Sequence, residues 1–142
     1  MYRVVETGVE VLLVHPGGPF WRNRDDSTWT VPKGEFDNEE PLAAAKREFE
    51  EETGSRPPDG DYLPLKPIKQ KNGKIVHAWA VEGDFDPATL NSNTFETEWP
   101  PKSGRMKSFP EVDRAEWFAP QVAKEKMLFG QAALVDELLT LI

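Results

Sequence analysis

The pattern of apolar and polar positions along the chain predicts both strands and helices. Two β-prone segments flank a short polar turn near the start and predict a hairpin. A proline in the first turn and a glycine after the last turn mark the ends of one long helix. The predicted strands cover residues 2–5, 9–15, 28–31, 62–67, 74–81 and 112–118, and the predicted helices cover 41–53 and 122–142. This order indicates a mixed α/β fold.

Residues 86–110 form a long polar segment with few apolar positions, and the pattern predicts a loop there. A loop of that length in a compact domain is usually functional or mobile. The sequence contains no internal repeat, no low-complexity tract and no linker, so we expect residues 1–142 to form a single domain.

Composition narrows the class of protein. The chain has 142 residues, 38% of them hydrophobic, with a net charge of −8 and no cysteine. Disulfides, thiolate zinc sites and cysteine nucleophiles are therefore excluded. The acidic balance disfavours nucleic acid as a partner. Because no apolar run is long enough to span a membrane and the start does not resemble a signal peptide, we expect a cytoplasmic protein without a membrane partner.

The acidic residues are concentrated in residues 35–52, where eight acidic side chains face only Lys46 and Arg47. On a helix of ~100° per residue, Glu48, Glu51 and Glu52 share one arc at the border of the apolar stripe, whereas Glu50 points toward solvent. A solvated helix face is the simplest interpretation of a charge run, and it remains open on composition alone.

The geometry of this arc favours a bound cation. Like charges three and four positions apart each cost about 0.2–0.5 kcal/mol, and acids in the last turn also oppose the helix dipole. Carboxylates on one rigid face can hold Mg²⁺ or Mn²⁺, which retain some waters and accept phosphate as a remaining ligand. Arg47, one turn before Glu51, is placed to pair with it and fix its rotamer.

The segment from Gly34 to Gly54 resembles the Nudix box: Gly, five residues, Glu, seven residues, then Arg-Glu-apolar-x-Glu-Glu-x-Gly-apolar. The second half matches from Arg47 to Gly54, and Glu39 lies at the required distance before Arg47. The loop after Gly34 is one residue shorter than the pattern, and Ser55 stands where an apolar residue is usual. The surrounding segments 14–21, 29–34 and 41–45 are similar to a bacterial subgroup of predicted NTP pyrophosphohydrolases.

The resemblance implies an α/β/α sandwich with a mixed β-sheet, and an enzyme that hydrolyses a nucleoside diphosphate linked to another moiety. It implies Glu48, Glu51 and Glu52 as metal ligands, with Glu48 or Glu51 as the alternative acceptor of the water proton. Arg47 would orient these glutamates. The carbonyl of Lys33 matches a backbone metal-ligand position, and its ammonium is a candidate contact to phosphate. Mg²⁺ or Mn²⁺ is the expected cofactor, and a nucleotide or polyphosphate is the expected substrate.

Outside this segment the candidates are single residues. Trp21 and Trp99 lie in predicted loops, where stacking on a base and ordinary packing are both open. Many members of the family recruit a further acid from a later loop, for which Glu98 and Glu111 are candidates, with Glu116 behind them. His15 ends a strand before Pro-Gly-Gly, and we expect it to pack in a turn rather than to act in catalysis.

Three functional hypotheses remain. An NTP pyrophosphohydrolase is the first, with dinucleoside polyphosphates or diphosphoinositol polyphosphates as alternative substrates, which the Pro32-Lys33-Gly34 form also suggests. The second is a non-catalytic Nudix-fold nucleotide-binding module, although such modules typically lose a box glutamate. A calcium-binding helix is disfavoured because the regular Asp/Asn spacing of an EF-hand loop is absent. The sequence indicates no oligomeric state.

Overall fold

The computed structural model describes residues 1–32, 40–70, 73–128 and 130–142. Its strands are β1 (Tyr2–Val5), β2 (Gly8–Pro16), β3 (Leu63–Pro64), β4 (Ile68–Lys69), β5 (Ile75–Val76), β6 (Trp79–Ala80), β7 (Thr94–Glu98), β8 (Met106–Pro110) and β9 (Val112–Phe118). Its helices are α1 (Pro41–Thr53), α2 (Pro120–Lys126) and α3 (Ala132–Leu141), with a short 3₁₀ turn at Pro87–Thr89. In this described part of the chain, no helix is long and apolar enough to cross a membrane.

The central sheet has the order β1-β2-β9, and both pairings are antiparallel. Tyr2 adds a parallel connection on the outer edge, because its N–H donates to the carbonyl of Val81 and its carbonyl accepts from Gly83, each at 3.0 Å. The sheet is therefore mixed. Strand β2 carries an irregularity between His15 and Pro16, where its pairing with β9 shifts.

Alternation along β2 divides the interior into two layers. Val11 and Leu13 pack on one face of the sheet with side chains of α2 and α3, including Ala123 and Leu138. The other face, through Leu12 and Val14, packs against Phe49 of α1. Because successive side chains of a strand point to opposite faces, one apolar run supplies both cores. The predicted α/β/α sandwich with a mixed sheet is thus confirmed.

Helix α1 begins and ends where the sequence predicts. The Glu40 carboxylate caps its start by accepting the N–H groups of Leu42 and Ala43, at 3.1 and 2.9 Å. Gly54 ends the helix in the left-handed region, with φ of 77°, and its N–H donates to the carbonyl of Glu50. A Cβ at Gly54 would lie 2.5 Å from the Asn91 carbonyl oxygen, so glycine is needed there for space as well as conformation.

The prediction of a loop over residues 86–110 is wrong. Strands β7 and β8 form an antiparallel hairpin in which Phe95 is paired with Phe109, their ring centroids 6.2 Å apart. Polar residues occupy most other positions of both strands, which are largely exposed. The hairpin lacks the apolar alternation that would have revealed it, because only a few of its side chains face other parts of the protein.

The single helix predicted over residues 122–142 is also wrong, because α2 and α3 are separate. The backbone at Met127 and Leu128 leaves the helix to pair with Trp29: the N–H of Trp29 donates to Lys126, and the N–H of Leu128 donates to Trp29, each at 2.9 Å. The predicted strand 62–67 is likewise reduced to β3, and the predicted strand 74–81 to β5 and β6, whereas β4 lies between the two predicted segments.

Candidate active site

The last two turns of α1 bring the predicted acidic side chains to one side of the helix. One terminal nitrogen of Arg47 lies 2.9 Å from a carboxylate oxygen of Glu48 and 3.1 Å from each carboxylate oxygen of Glu51. Arg47 thus holds both glutamates, as its helical spacing predicts for Glu51. Glu50 is exposed on the other side of the helix, also as expected.

Glu52 is largely buried, with only 9% of its surface exposed. It lines a cavity of about 240 Å³ at the end of the sheet. The wall of this cavity also includes Trp21 and Glu111, two residues that the sequence analysis names as candidates. The remaining lining residues are Val14, Pro16, Thr28, Thr30, Val112 and Leu128. Residues far apart in the sequence therefore meet next to the glutamates of α1.

Backbone hydrogen bonds fix Glu111 beside the end of α1. The N–H of Glu111 donates to the carbonyl of Asn93, whose own N–H donates to the carbonyl of Glu51, each at 2.8 Å. On the other side, the Glu111 carbonyl accepts the N–H of Gly17 at 2.9 Å. The segment between β8 and β9 is therefore tied both to the acidic helix and to the end of β2.

The electrostatics of Glu48 are dominated by its burial. Burial raises the pKa of the Glu48 carboxyl above its ordinary value, and the like charges of Glu51 and Glu111 raise it further. The guanidinium of Arg47 opposes this shift but does not cancel it. A cation placed among these carboxylates would therefore be stabilised, because it would offset a charge that the protein itself leaves incompletely compensated.

The donor set suits a hard divalent cation, since all the side chains concerned are carboxylates. Among the residues that the structure describes, no three His, Asp or Glu side chains converge as a ready-made metal site. Arg47 binds one oxygen of Glu48 and both oxygens of Glu51, and carboxylate oxygens that accept one hydrogen bond keep a further lone pair for an ion. Lys33, Glu39 and the shortened loop lie outside the described residues.

The two candidate tryptophans differ in position. Trp21 lines the cavity and is 37% exposed, with the Arg24 guanidinium carbon 5.6 Å from its ring centroid. Trp99 does not belong to the lining; it packs edge-on against Phe20, with centroids 5.5 Å apart. Of the two candidate acids, Glu98 lies on the exposed hairpin and accepts the N–H of Lys102, whereas Glu111 lines the cavity.

Three polar residues near the cavity gave no functional signal in the sequence. Thr28 and Thr30 line its wall, but isolated threonines next to a tryptophan indicate only a β-prone segment. His15 is fully buried and lies between Asp113 and the Arg24 carbonyl. The expected role in turn packing agrees with this burial. Its two polar partners come from segments 9 and 98 residues away, which no local pattern reveals.

Comparison with known proteins agrees with this architecture. The fold is similar to that in a crystal structure of a C. elegans Ap4A hydrolase binary complex, with a TM-score of 0.62 and 19% identity over 99% of this chain and 90% of that chain. It is also similar to the NUDIX domain of Shewanella oneidensis NrtR in a cocrystal structure with ADP ribose, with a TM-score of 0.63 and 15% identity over 98% of this chain and 81% of that one. No curated protein sequence matches the chain.

The family model for the NUDIX domain matches residues 2–138, nearly the whole chain. This match includes β2, α1, β9 and the segment that carries Glu111, and so every described wall of the cavity. The chain therefore belongs to the NUDIX domain family, and the expectation of a Nudix hydrolase, which the α1 motif suggested, is confirmed.

Proposed function

We propose that this Nudix enzyme hydrolyses a nucleoside diphosphate linked to another moiety, and that its substrate is a nucleoside triphosphate cleaved to the monophosphate and pyrophosphate. The observation that carries the proposal is the meeting of Glu52, Glu111 and Trp21 around one cavity beside Glu48 and Glu51. This arrangement supports the proposal, because carboxylates suited to a metal lie next to an aromatic side chain suited to stacking on a base.

Hydrolases of this family use divalent metal ions, and we assign Mg²⁺, or Mn²⁺ in its place, to Glu48, Glu51 and Glu52, with Glu111 as a further candidate ligand. The carbonyl of Lys33 is proposed as an additional ligand from the resemblance. When bound, the ion neutralises charge on the phosphoryl oxygens and makes water a better nucleophile at neutral pH.

The chain's own residues supply orientation and proton transfer. Water attacks a phosphorus atom, a new P–O bond forms, and the bridging P–O bond breaks to release pyrophosphate. Glu48 is the better candidate to accept the water proton, because burial raises the pKa of its carboxyl and a raised pKa makes a carboxylate a stronger base. Arg47 holds Glu51 and Glu48 in place through one nitrogen.

The size of the cavity limits which part of the substrate it encloses. A volume of about 240 Å³ is smaller than the ~300–1,000 Å³ of typical ligand pockets, so we place only the phosphate groups inside it. The nucleoside would extend past Trp21, whose partly exposed ring offers a stacking surface. The ammonium of Lys33 is a proposed phosphate contact.

Dinucleoside polyphosphates are the second candidate class of substrate, with diphosphoinositol polyphosphates beside them. The similarity to an Ap4A hydrolase favours the former, since both proteins share the fold over nearly their whole lengths. An open stacking surface beyond the phosphates would also admit a second nucleoside. A nucleotide-binding module without catalysis remains the alternative from another class.

The test is release of phosphate and pyrophosphate from nucleoside triphosphates, dinucleoside polyphosphates, ADP-ribose and diphosphoinositol compounds, with Mg²⁺, with Mn²⁺ and with EDTA. We expect metal-dependent turnover of nucleoside triphosphates, abolished in Glu52→Gln and retained in Glu50→Gln. Turnover confined to another class of compound would show that this class, rather than the nucleoside triphosphates, contains the substrate. Metal and nucleotide binding by calorimetry without any turnover would support the binding module instead.

A further inference from the structure

His15 lies next to the cavity and connects the two segments that carry Trp21 and Glu111. Its side chain is fully buried near the end of β2, next to Pro16 of the cavity lining. Its Nε2 lies 2.6 Å from the carbonyl oxygen of Arg24, and its Nδ1 lies 2.7 Å from a carboxylate oxygen of Asp113. The ring also packs edge-on against Trp29, with centroids 5.2 Å apart.

Both partners of the ring are hydrogen-bond acceptors. The Arg24 carbonyl can only accept, so Nε2 donates its proton there. The Asp113 carboxylate is hydrogen-bonded to Nδ1 on the other side of the ring. The side chain therefore bridges these two partners, which an apolar turn-packing residue does not do.

The bridge connects the two sides of the candidate site. On one side, the N–H of Arg24 donates to the carbonyl of Trp21 at 2.9 Å, so His15 holds the turn that carries this ring. On the other side, Asp113 lies two residues after Glu111 at the start of β9. We call residues 17–28 the Trp21 loop. Residues 20–27 of this loop are exposed, and His15 binds the loop at the Arg24 carbonyl.

The far end of the Trp21 loop is fixed separately. Asp25 accepts from the indole N–H of Trp29 at 2.8 Å and pairs with Lys126, and the N–H of Ser27 donates to Glu125 at 3.2 Å. Between Gly18 and Arg24, Phe20 packs against Trp99, and His15 ties the loop to β9 at the Arg24 carbonyl. The contacts of His15 are therefore distinct from those that fix the far end of the loop.

We propose that His15 is a positioning residue that sets the distance between Trp21 and the Glu111 side of the site. Through its bond to the Arg24 carbonyl, it keeps the Trp21 loop in place for the nucleoside part of the substrate. This role rests on the proposed function of Trp21, whereas the mechanical link between His15 and the loop does not.

Two substitutions separate the ends of the bridge. In His15→Gln, the amide nitrogen replaces Nε2 and keeps the donor to Arg24, whereas in His15→Asn it replaces Nδ1 and keeps only the link to Asp113. Both variants lose the ring contact with Trp29, so each controls for the stability lost by the other. Thermal unfolding of both, monitored by circular dichroism, establishes that they fold.

Trypsin cleavage of the folded variants, followed by mass spectrometry, tests the link without a substrate. Cleavage after Arg22 and Arg24 is measured relative to cleavage after Arg105, an exposed site in the β7–β8 turn. We expect this ratio to rise about fivefold in His15→Asn and to stay near the wild-type value in His15→Gln. Equal ratios in both variants would overturn the link.

Kinetics on the substrate that the turnover assay identifies then test the positioning role. We expect KM to rise about tenfold in His15→Asn, with kcat changed less, and KM in His15→Gln to stay within about twofold of wild type. A loosened loop with an unchanged KM would overturn the role of His15 in substrate binding. An inactive wild-type protein would instead disprove the proposed function, and the cleavage ratios would still decide the link.

Discussion

Glu111 is joined to Asn93 by a backbone hydrogen bond of 2.8 Å from its own N–H to the Asn93 carbonyl. Because the N–H of Asn93 in turn donates to the carbonyl of Glu51, an acid 60 residues away in the sequence is placed at the end of the acidic helix. This connection distinguishes Glu111 from Glu98, the other candidate from the later part of the chain.

Glu111→Gln and Glu98→Gln form a matched pair of variants. We expect Glu111→Gln to lower kcat by about 10–100-fold, as for a residue supporting a metal site, because its carboxylate lines the cavity. Glu98→Gln should leave kcat unchanged, since its side chain is exposed and binds the hairpin turn. Steady-state turnover measures both. Equal losses in the two variants would mean that the hairpin takes part in the reaction.

Glu52 and Glu51 should be essential, while Glu50 should not. We expect Glu52→Gln and Glu51→Gln each to reduce turnover by more than the about 10–100-fold typical of an outer-shell residue, without loss of folding. The exposed Glu50, on the other side of α1, is the matched control within the same turn. Turnover at saturating metal and thermal unfolding measure the two effects. Comparable loss in Glu50→Gln would contradict the role of this helix face.

In the absence of metal, the ionised Glu48 side chain should lower the free energy of unfolding at neutral pH. Its pKa is raised in the folded state above the ordinary value of 4.5, so its favourable contribution to stability is present below that value and is lost as the pH rises through the folded pKa. Glu48→Gln, which removes the charge, should therefore raise the free energy of unfolding more at pH 7 than at pH 4.

Chemical denaturation in EDTA at pH 4 to 7 measures this prediction. The free energy of unfolding of Glu48→Gln, minus that of the wild type, should increase with pH across this range. The same variant should lose activity at pH 7. A difference that falls with pH would show that the Arg47 pairing, rather than burial, dominates the energetics of Glu48.

Trp21 should contribute more to substrate affinity than Trp99. Stacking of a base on an aromatic side chain contributes about 1–3 kcal/mol, so Trp21→Leu should raise KM by roughly 5- to 150-fold with a smaller effect on kcat. Trp99→Leu is the comparison: its ring contacts Phe20 of the Trp21 loop but lies outside the cavity lining, so KM should rise less than in Trp21→Leu. Equal KM values for Trp21→Leu and wild type would show that the base does not stack on Trp21.

Gly54→Ala should destabilise the fold. The substitution combines a left-handed backbone, with φ of 77°, and a Cβ placed 2.5 Å from the Asn91 carbonyl oxygen. We expect a loss of more than about 1 kcal/mol in the free energy of unfolding. Ser55→Ala, the next position, is a control without this clash. Unfolding in urea compares the two, and a neutral Gly54→Ala would show that the 90–93 segment readily moves.

The sequence by itself determined the elements whose signals are local. The ends of α1 follow from Pro41 and Gly54, β2 follows from its β-prone apolar run, and the arc shared by Glu48, Glu51 and Glu52 follows from the 3.6-residue period of a helix. The family also followed from this one segment, because its motif joins specific residue types at fixed spacing. These features depend on neighbours within a few residues.

Tertiary structure decided what depends on distant partners. It selected Glu111 over Glu98 and Trp21 over Trp99 for the cavity wall, formed the β7–β8 hairpin, and interrupted the last helix where Trp29 pairs with Leu128. It also gave His15 its two acceptors. In each case the deciding hydrogen bonds or contacts join segments remote in the chain or depend on strand pairing, for which the side-chain pattern of one segment carries no signal.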